Sequence, residues 1–530
     1  MSGRTPTTGN PRVDRADSDL RTERGRDERS RAPQTGVQSG RASRPHRRWY
    51  RTAAVLPLVA DRDHEPATDG VQSRRYVLAR RYSTNALAAI SFAFPVVFLL
   101  ISLGIGLSTA GSILVAQNTG AGNECDAEYA ASQTVIFSVL ASAVLGAIGY
   151  FFLGELLAVL GASPAVLPLA TGYMEIIALG LPLMFGFFVF ISLMRGSGDT
   201  VTPMLVMFGT VVLNIVLDPF VIYGWGPFPE LGVEGAALAT VFSRGLAMVV
   251  GLEIMLSGAR GVRIRVGDMI PDLSYFRELL ALGVPASVEL TGRALSINLL
   301  LFIIGLFPTT VVAAFGIGTR VFSVIFLPAI AVARGVETMS GQNIGAGKPD
   351  RAAATSRFAA RAMIVVLSVA AVLVWVFAAP IVGVFTADSG VVDAGATFMR
   401  YVTASFPFIA ITRAYSGGFR GAGKTLTAAV IALASLWVVR LPVAWFASQP
   451  VGLDLGPPGI WLSFAVSNAV GAILAYTWYQ RGTWRDAARI EDESDPKSEA
   501  ETEPDSAVAT DGHGAPDRAD EEPAETPDTD

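Results

Sequence analysis

The chain has 530 residues, of which 51% are apolar and 16% charged, and its mean hydropathy is +0.45. Apolar runs of about twenty residues recur, each long enough as a helix to cross about 30 Å of hydrocarbon, so the composition excludes a soluble enzyme and points to a polytopic membrane protein. The net charge of −5 conceals a segregation of charge to the two ends, and the lone Cys125 excludes an intramolecular disulfide.

The first segment, 1–81, holds 18 arginines and reads as a disordered, Arg-rich stretch. An Arg-rich arm could suit a nucleic acid, but no nucleic-acid partner is assigned, for the reason given below. His46, His64 and His513 all lie in polar segments, so histidine-based chemistry and metal sites are not expected within the membrane. Five apolar spans follow near 89–115, 131–153, 168–193, 202–222 and 236–256 and make up an N-terminal lobe, 82–257. A linker, 258–281, leads to six more spans near 282–306, 314–336, 362–385, 394–418, 427–447 and 459–479, a second lobe over 282–482. The tail, 483–530, is acidic and reads as disordered; Glu491–Asp530 alone carries 16 acidic residues against Lys497 and Arg518.

The connectors divide by charge. Those of one side carry Arg195, Arg260, Arg263, Arg265, Lys348, Arg351, Arg357, Arg420, Lys424, Arg481 and Arg485, while 154–167, 223–235, 307–313, 386–393 and 448–458 carry no Lys or Arg. The positive-inside rule then places the C-terminus in the cytoplasm of a multi-pass plasma-membrane protein. Eleven spans ending inside would leave the Arg-rich N-terminus outside, against the same rule.

An internal repeat locates the missing crossing. Gln117-Asn118-Thr119-Gly120-Ala121-Gly122 returns as Gln342-Asn343-Ile344-Gly345-Ala346-Gly347, Arg195-Gly196-Ser197-Gly198 returns as Arg420-Gly421-Ala422-Gly423, and Pro182 returns as Pro407, all at one offset of 225 residues. The span 282–306 shifted back by that offset falls on 57–81, which is too charged to cross a bilayer at about 2.5–3.5 kcal/mol per central charge. One encoding of Gln72–Arg80, read one nucleotide later, gives Ser, Leu, Val, Asp, Thr, Phe, Trp, Leu. The expectation is a frameshift upstream of Tyr82, in which case the Arg-rich composition of 1–81 is an artefact.

The paired Gln-Asn-x-Gly-Ala-Gly turns, the Arg-Gly-x-Gly-x-Thr turns and Asn214-Ile215-Val216-Leu217-Asp218-Pro219 resemble the multidrug and toxic compound extrusion family from about Tyr82 to Arg481. The resemblance implies an all-α membrane protein of two pseudo-symmetric six-helix lobes, the first with five recognisable spans here. It implies a secondary active exporter, not an enzyme, that works as a monomer in membrane lipid without a cofactor. Such an exporter moves small cationic or amphiphilic substrates against H⁺ or Na⁺. Few lysines, three against 38 arginines, further resemble proteins of salt-accumulating extreme halophiles.

Asp218 is the informative residue on physical grounds alone, because a carboxylate inside an apolar span is costly and usually functional. Asn214 lies four residues earlier on the same helix face and can donate to it. In the family the matching Asn and Asp, a Thr on the next helix and an Asp on the first helix form a cation-sensitive cluster. Thr240 matches the Thr, and the first-helix Asp matches nothing as the chain is written. Shifted by 225, Asn214 and Asp218 fall on Val439 and Val443, so the second lobe does not repeat the site. Another branch of the family uses carboxylates in the second lobe; the span 394–418 has Arg400 and Arg413 and no Asp or Glu, which favours the branch with its carboxylate in the first lobe. Glu289 and Arg293, four apart, suggest an ion pair with an accessory coupling role. A lipid-linked glycan flippase of the same superfamily is the alternative, disfavoured because the central spans hold few cations; a non-transporting scaffold is the second. Gly418–Thr425 fits a phosphate-binding loop pattern, but that pattern requires a preceding strand, which two flanking membrane spans do not supply.

Overall fold

The structure is a computed structural model, and it describes residues 84–485, all helix and connecting turns. The expectations for 1–81 and for the tail beyond 485 lie outside the described residues. In the first lobe α1 spans Thr84–Ala121, α2 Glu124–Val159, α3 Leu167–Gly196, α4 Val201–Tyr223 and α5 Gly232–Ser257. In the second, α6 spans Leu273–Ile304, α7 Thr309–Gly345, α8 Pro349–Val376, α9 Ala378–Gly383, α10 Ser389–Thr403, α11 Phe406–Gly421, α12 Thr425–Leu433, α13 Leu441–Ser448 and α14 Pro457–Gln480. A seven-residue π-helical stretch, Ala434–Arg440, joins α12 to α13.

Among the described residues ten helices, counting α12 through α13 as one, are long and apolar enough to cross a membrane. The ninth expected span is delivered by α10 and α11 as two short pieces. Pro407, at the start of α11, has no N–H to continue the ladder, and Ser405 turns its hydroxyl back to the Val402 carbonyl at 2.6 Å. The repeat image Pro182 sits inside an unbroken α3. There position 180, the image of Ser405, is a glycine pressed against the Val241 side chain.

The expected linker 258–281 is shorter than its composition suggests. Asp272 caps α6, its carboxylate accepting from the Ser274 N–H at 2.9 Å, so 273–281 is already helical. The stretch before it is tied to the first lobe: Gln133 donates to the carbonyls of Asp268 and Ile270 at 2.6 and 2.8 Å, and Arg265 pairs with Glu128. At the other end the lobe extends past 482, because Trp484 is buried against Tyr479 and donates to its carbonyl at 2.9 Å.

The repeated motifs are helix ends rather than free turns. Gln117–Ala121 and Gln342–Gly345 are the last turns of α1 and α7, closed by Gly122 and Gly347 at φ of 78° and 65°, where only glycine is unstrained. The two ends cross with near two-fold symmetry. A Cβ on Gly120 would strike the Gln342 carbonyl, and one on Gly345 would strike the Gln117 carbonyl. Gln117 donates to the Gly421 carbonyl at 3.0 Å, and Gln342 donates to the Gly196 carbonyl at 3.1 Å. Two donors that would otherwise be strays thus seal one lobe to the other at the end where the arginine-bearing connectors lie, the basic end.

From there the contact runs along α1 and α6. Gly106 packs against Gly283 and Ser287 with no room for a side chain, and Ser102 shares a hydrogen bond with Thr291 at 2.8 Å. Among the described residues these are the inter-lobe hydrogen bonds and close approaches farthest from the basic end. These contacts join the lobes from the basic end to Ser102, about 28 Å along α1 at 1.5 Å per residue.

Candidate functional site

Asp218 stands about 26 Å along α4 from the basic end, at 1.5 Å per residue, and is fully buried; Asn214, one turn earlier, is 2% exposed. The pairing of α4 with α5 is fixed by Gly235, whose missing side chain lets it close on the Val221 carbonyl. The antiparallel run brings Thr240 and Ser243 of α5 beside the Asn214–Asp218 face. Thr240 is buried, but its hydroxyl turns to the Ala236 carbonyl at 3.0 Å. Ser243 Oγ and both amide atoms of Asn214 are buried and make no hydrogen bond to another described residue. Buried polar atoms are rarely left so. Arg244, next to Ser243, is 8% exposed and lies 5.3 Å from the centre of the Phe188 ring. Ser243 and Arg244 were not singled out from sequence, although an arginine in the middle of a span was signal enough for the second.

The second lobe repeats this corner in a different register. The π turn adds a residue, so beyond it the correspondence with α4 is by 226 and not 225. Two observations fix this. Gly459 closes on the Ala447 carbonyl as Gly235 does on that of Val221, and the buried set Ala444, Ala447, Ser448 reproduces Asp218, Val221, Ile222. The structural images of Asn214 and Asp218 are therefore Arg440 and Ala444, which corrects the expected Val439 and Val443. The images of Ser243 and Arg244 are Ser467 and Asn468. Arg440 donates to Ser467 Oγ at 2.9 Å and to Asn468 Oδ1 at 3.0 Å, with its guanidinium 4.5 Å from the Phe464 ring centre. Asparagine and arginine have exchanged helices between the lobes.

Glu289 and Arg293 are brought together as an intrahelical pair at 3.4 Å, within a network the sequence did not disclose. Arg420 reaches Glu289 at 3.2 Å and Glu337 at 2.9 Å, and Arg334 reaches Glu337 at 3.2 Å. Arg420, Glu289 and Glu337 are each less than a tenth exposed. Glu337 lies on α7, one turn from the inter-lobe contact at Gly341, and Arg420 precedes the Gly421 carbonyl that Gln117 engages. The glycine-rich stretch Gly418–Gly421 is the last turn of α11, between helices, so the phosphate-loop pattern has no strand to stand on. Among the described residues no group of Asp, Glu, His or Cys is arranged to hold a metal.

Comparison with known proteins follows the same geometry. The MatE family profile matches residues 76–220 and 285–446. The two matches end in register with the structural offset of 226, yet their starts are out of register by 16 residues on the offset of 225 that holds before the π turn, the first repeat beginning late. A probable multidrug resistance protein, YoeA, of Bacillus subtilis is 30% identical over 409 residues, 76% of this chain and 87% of its own. A protein named FAD transporter, from Shewanella oneidensis, is 28% identical over 75% of this chain and 87% of its own. A crystal structure of a MATE protein in a bent conformation superposes with a TM-score of 0.74, covering 84% of this chain and 96% of its own at 20% identity. On the family match and the relatives together, the chain belongs to the MatE family of multidrug efflux transporters.

Proposed function

We propose that this protein is a secondary active exporter that moves small cationic or amphiphilic substrates against H⁺ or Na⁺ by alternating access, with Asp218 as the coupling carboxylate. The observation that carries the reading is the corner on α4 and α5, where Asp218 is buried on the face of Asn214, and the polar atoms of Asn214 and of Ser243 are engaged by no described residue. Such oxygens and amides suit a proton or a sodium ion in transit. Thr240 supplies a further hydroxyl on the same helix pair. We read the inter-lobe contacts, which run from the basic end along α1 to Ser102, as closure of that end, which alternating access requires of one of its two states. We take the basic end as cytoplasmic from the distribution of arginine, which makes this conformation outward-facing and the C-terminus cytoplasmic.

Ion binding at Asp218 would favour one orientation of the lobes and oppose substrate, which couples the two fluxes. In proteoliposomes, Asp218→Asn should abolish drug-driven ion exchange while the protein still inserts, because the amide keeps the size and loses the charge. Asn214→Ala should shift the ion dependence more mildly, since it removes a donor and leaves the charge. Efflux in the Asp218→Asn protein with the pH or Na⁺ dependence of the parent rejects the assignment.

We further propose that the first helix of the first lobe is lost to a frameshift. Only 17% of the most apolar stretch of α4 is buried, the smallest share of the ten spans, against 33% for its counterpart Thr425–Ser448. The counterpart owes part of its cover to α6, whose Gly292 lies against Leu433 and accepts a 2.9 Å hydrogen bond from Trp437. The late start of the first family match supports the same reading. Restoring the alternative frame across codons 53–80 should regenerate an apolar helix and efflux; genomic reads confirming the present frame, with full transport, would overturn it.

A further inference from the structure

The second lobe gathers more positive charge than its carboxylates neutralise. Arg293, Arg334, Arg413, Arg420 and Arg440 face two acids, Glu289 and Glu337. Those two acids are fully engaged by Arg420, Arg293 and Arg334. Arg440 is held only by the neutral Ser467 and Asn468, and Arg413 makes no hydrogen bond to another described residue. Arg293 is the neighbouring charge felt by both Arg413 and Arg440, so like charges are gathered in a part of the membrane where an unneutralised cation is costly.

On α6 the charged pair points away from the first lobe, whereas Arg334 sits on the face of α7 that meets it. On α6, Gly283 and Ser287 face the first lobe and Gly292 faces α12, which leaves Glu289 and Arg293 on a third side, toward the interior of the second lobe. On α7, Arg334 lies two turns from Gly341, on the face that meets the first lobe. Arg293 and Arg334 each retain 26% of their side-chain surface exposed. A purely structural lattice would bring charges into balance, and the first lobe carries fewer of them: the images of Arg334, Arg413 and Arg440 are Thr109, Phe188 and Asn214, with Arg195 and Arg244 remaining.

We propose that the interior of the second lobe is an anion subsite, in which Arg413 and Arg440 receive the carboxylate or phosphate group of an amphiphilic substrate. Planar guanidiniums suit such groups because they donate in pairs to two oxygens. The expected cargo thus includes anionic or zwitterionic amphiphiles, a substrate class beyond the cations to which Asp218 is suited. The proposal rests on the exporter reading only in treating the bound anion as cargo; the subsite itself is an equilibrium property.

The test uses the purified full-length protein in phosphatidylcholine nanodiscs and two dyes on one xanthene ring, anionic carboxyfluorescein and cationic rhodamine 123, followed by fluorescence anisotropy. Carboxyfluorescein should bind at least about tenfold more tightly than rhodamine 123, weaken as salt rises, and be displaced by inorganic pyrophosphate. Arg413→Gln with Arg440→Gln should remove that preference, and Arg413→Lys should retain most of it. Displacement by undecaprenyl phosphate placed in the disc, with none by pyrophosphate, would assign the anion to a lipid headgroup; the reverse would assign it to a soluble substrate. Equal binding of the two dyes by the parent protein overturns the proposal whether or not the variants fold, as does a preference that survives both glutamine substitutions. Failure of Asp218→Asn to abolish exchange in vesicles would instead strike the coupling assignment and leave this binding result standing.

Discussion

One helix pair, used twice, carries different charge in the two lobes, an aspartate with an arginine in the first and an arginine alone in the second. In the first lobe α4 presents Asn214 and Asp218 to Ser243 and Arg244 of α5; in the second, the equivalent positions hold Arg440 and Ala444 against Ser467 and Asn468. The backbone framework is common to both, down to the glycine on the later helix that touches a carbonyl of the earlier one. The difference is one π turn and a handful of side chains. A duplicated scaffold fixes where polar groups can be buried, and the local residues then decide which ion that burial favours.

The sharpest way to probe this comparison is at the two motif arginines. Arg420 neutralises two buried glutamates, whereas its image Arg195 reaches the Ser192 hydroxyl at 3.3 Å. Arg420→Ala leaves two carboxylates buried with less compensation and should cost about 3–5 kcal/mol of stability, seen as a collapse in thermal unfolding or in yield of monodisperse protein. Arg195→Ala removes the Ser192 contact, worth about 1 kcal/mol, and the weakest of the charges acting on Glu337, and should cost less than Arg420→Ala. Equal losses would show that the ion network is not what distinguishes the lobes.

A smaller effect tests where the lobes are alike. Gly120→Leu and Gly345→Leu each drive a side chain into a backbone carbonyl of the opposite lobe, at matching points of the two-fold crossing. Each should disfavour closure of the basic end by about 1–3 kcal/mol. Spin-label distances across that end should lengthen to a similar degree in both, and a shift in one alone would break the symmetry of the seal.

The mildest substitutions are the two glutamines. Gln117→Ala and Gln342→Ala each remove one inter-lobe hydrogen bond and should shift the closed-to-open ratio of that end by about 1 kcal/mol, roughly fivefold. The same distance measurement reads this, and an unchanged distribution in both would remove the glutamines from the seal.

Much of the fold was legible in advance, because hydrocarbon leaves a backbone few options and the apolar runs therefore announce their helices. The repeat, the paired lobes and the candidate carboxylate Asp218 also came from residue order. Helix ends were misjudged where polar helical turns extend past the apolar stretch, as at Leu273–Ala281. The image of Asn214 was missed by one position, since a π turn leaves no mark in composition. Arg244, Glu337 and Arg420 were visible as charges, but no local pattern says which distant carboxylate an arginine will find.

What the sequence by itself determined is the class of solvent, the number of apolar segments and their duplication, all of which follow from periodicity and transfer energy along a single line of residues. The tertiary structure alone decided that Gln117 and Gln342 cross to each other's lobe, that Glu289 joins Glu337 through Arg420, and that Arg440 stands where Asn214 does. These depend on contacts between segments one hundred or more residues apart, or on a one-residue change in helical phase. Neither is encoded in the hydropathy of any one segment, and both follow from how helices of fixed shape pack against one another.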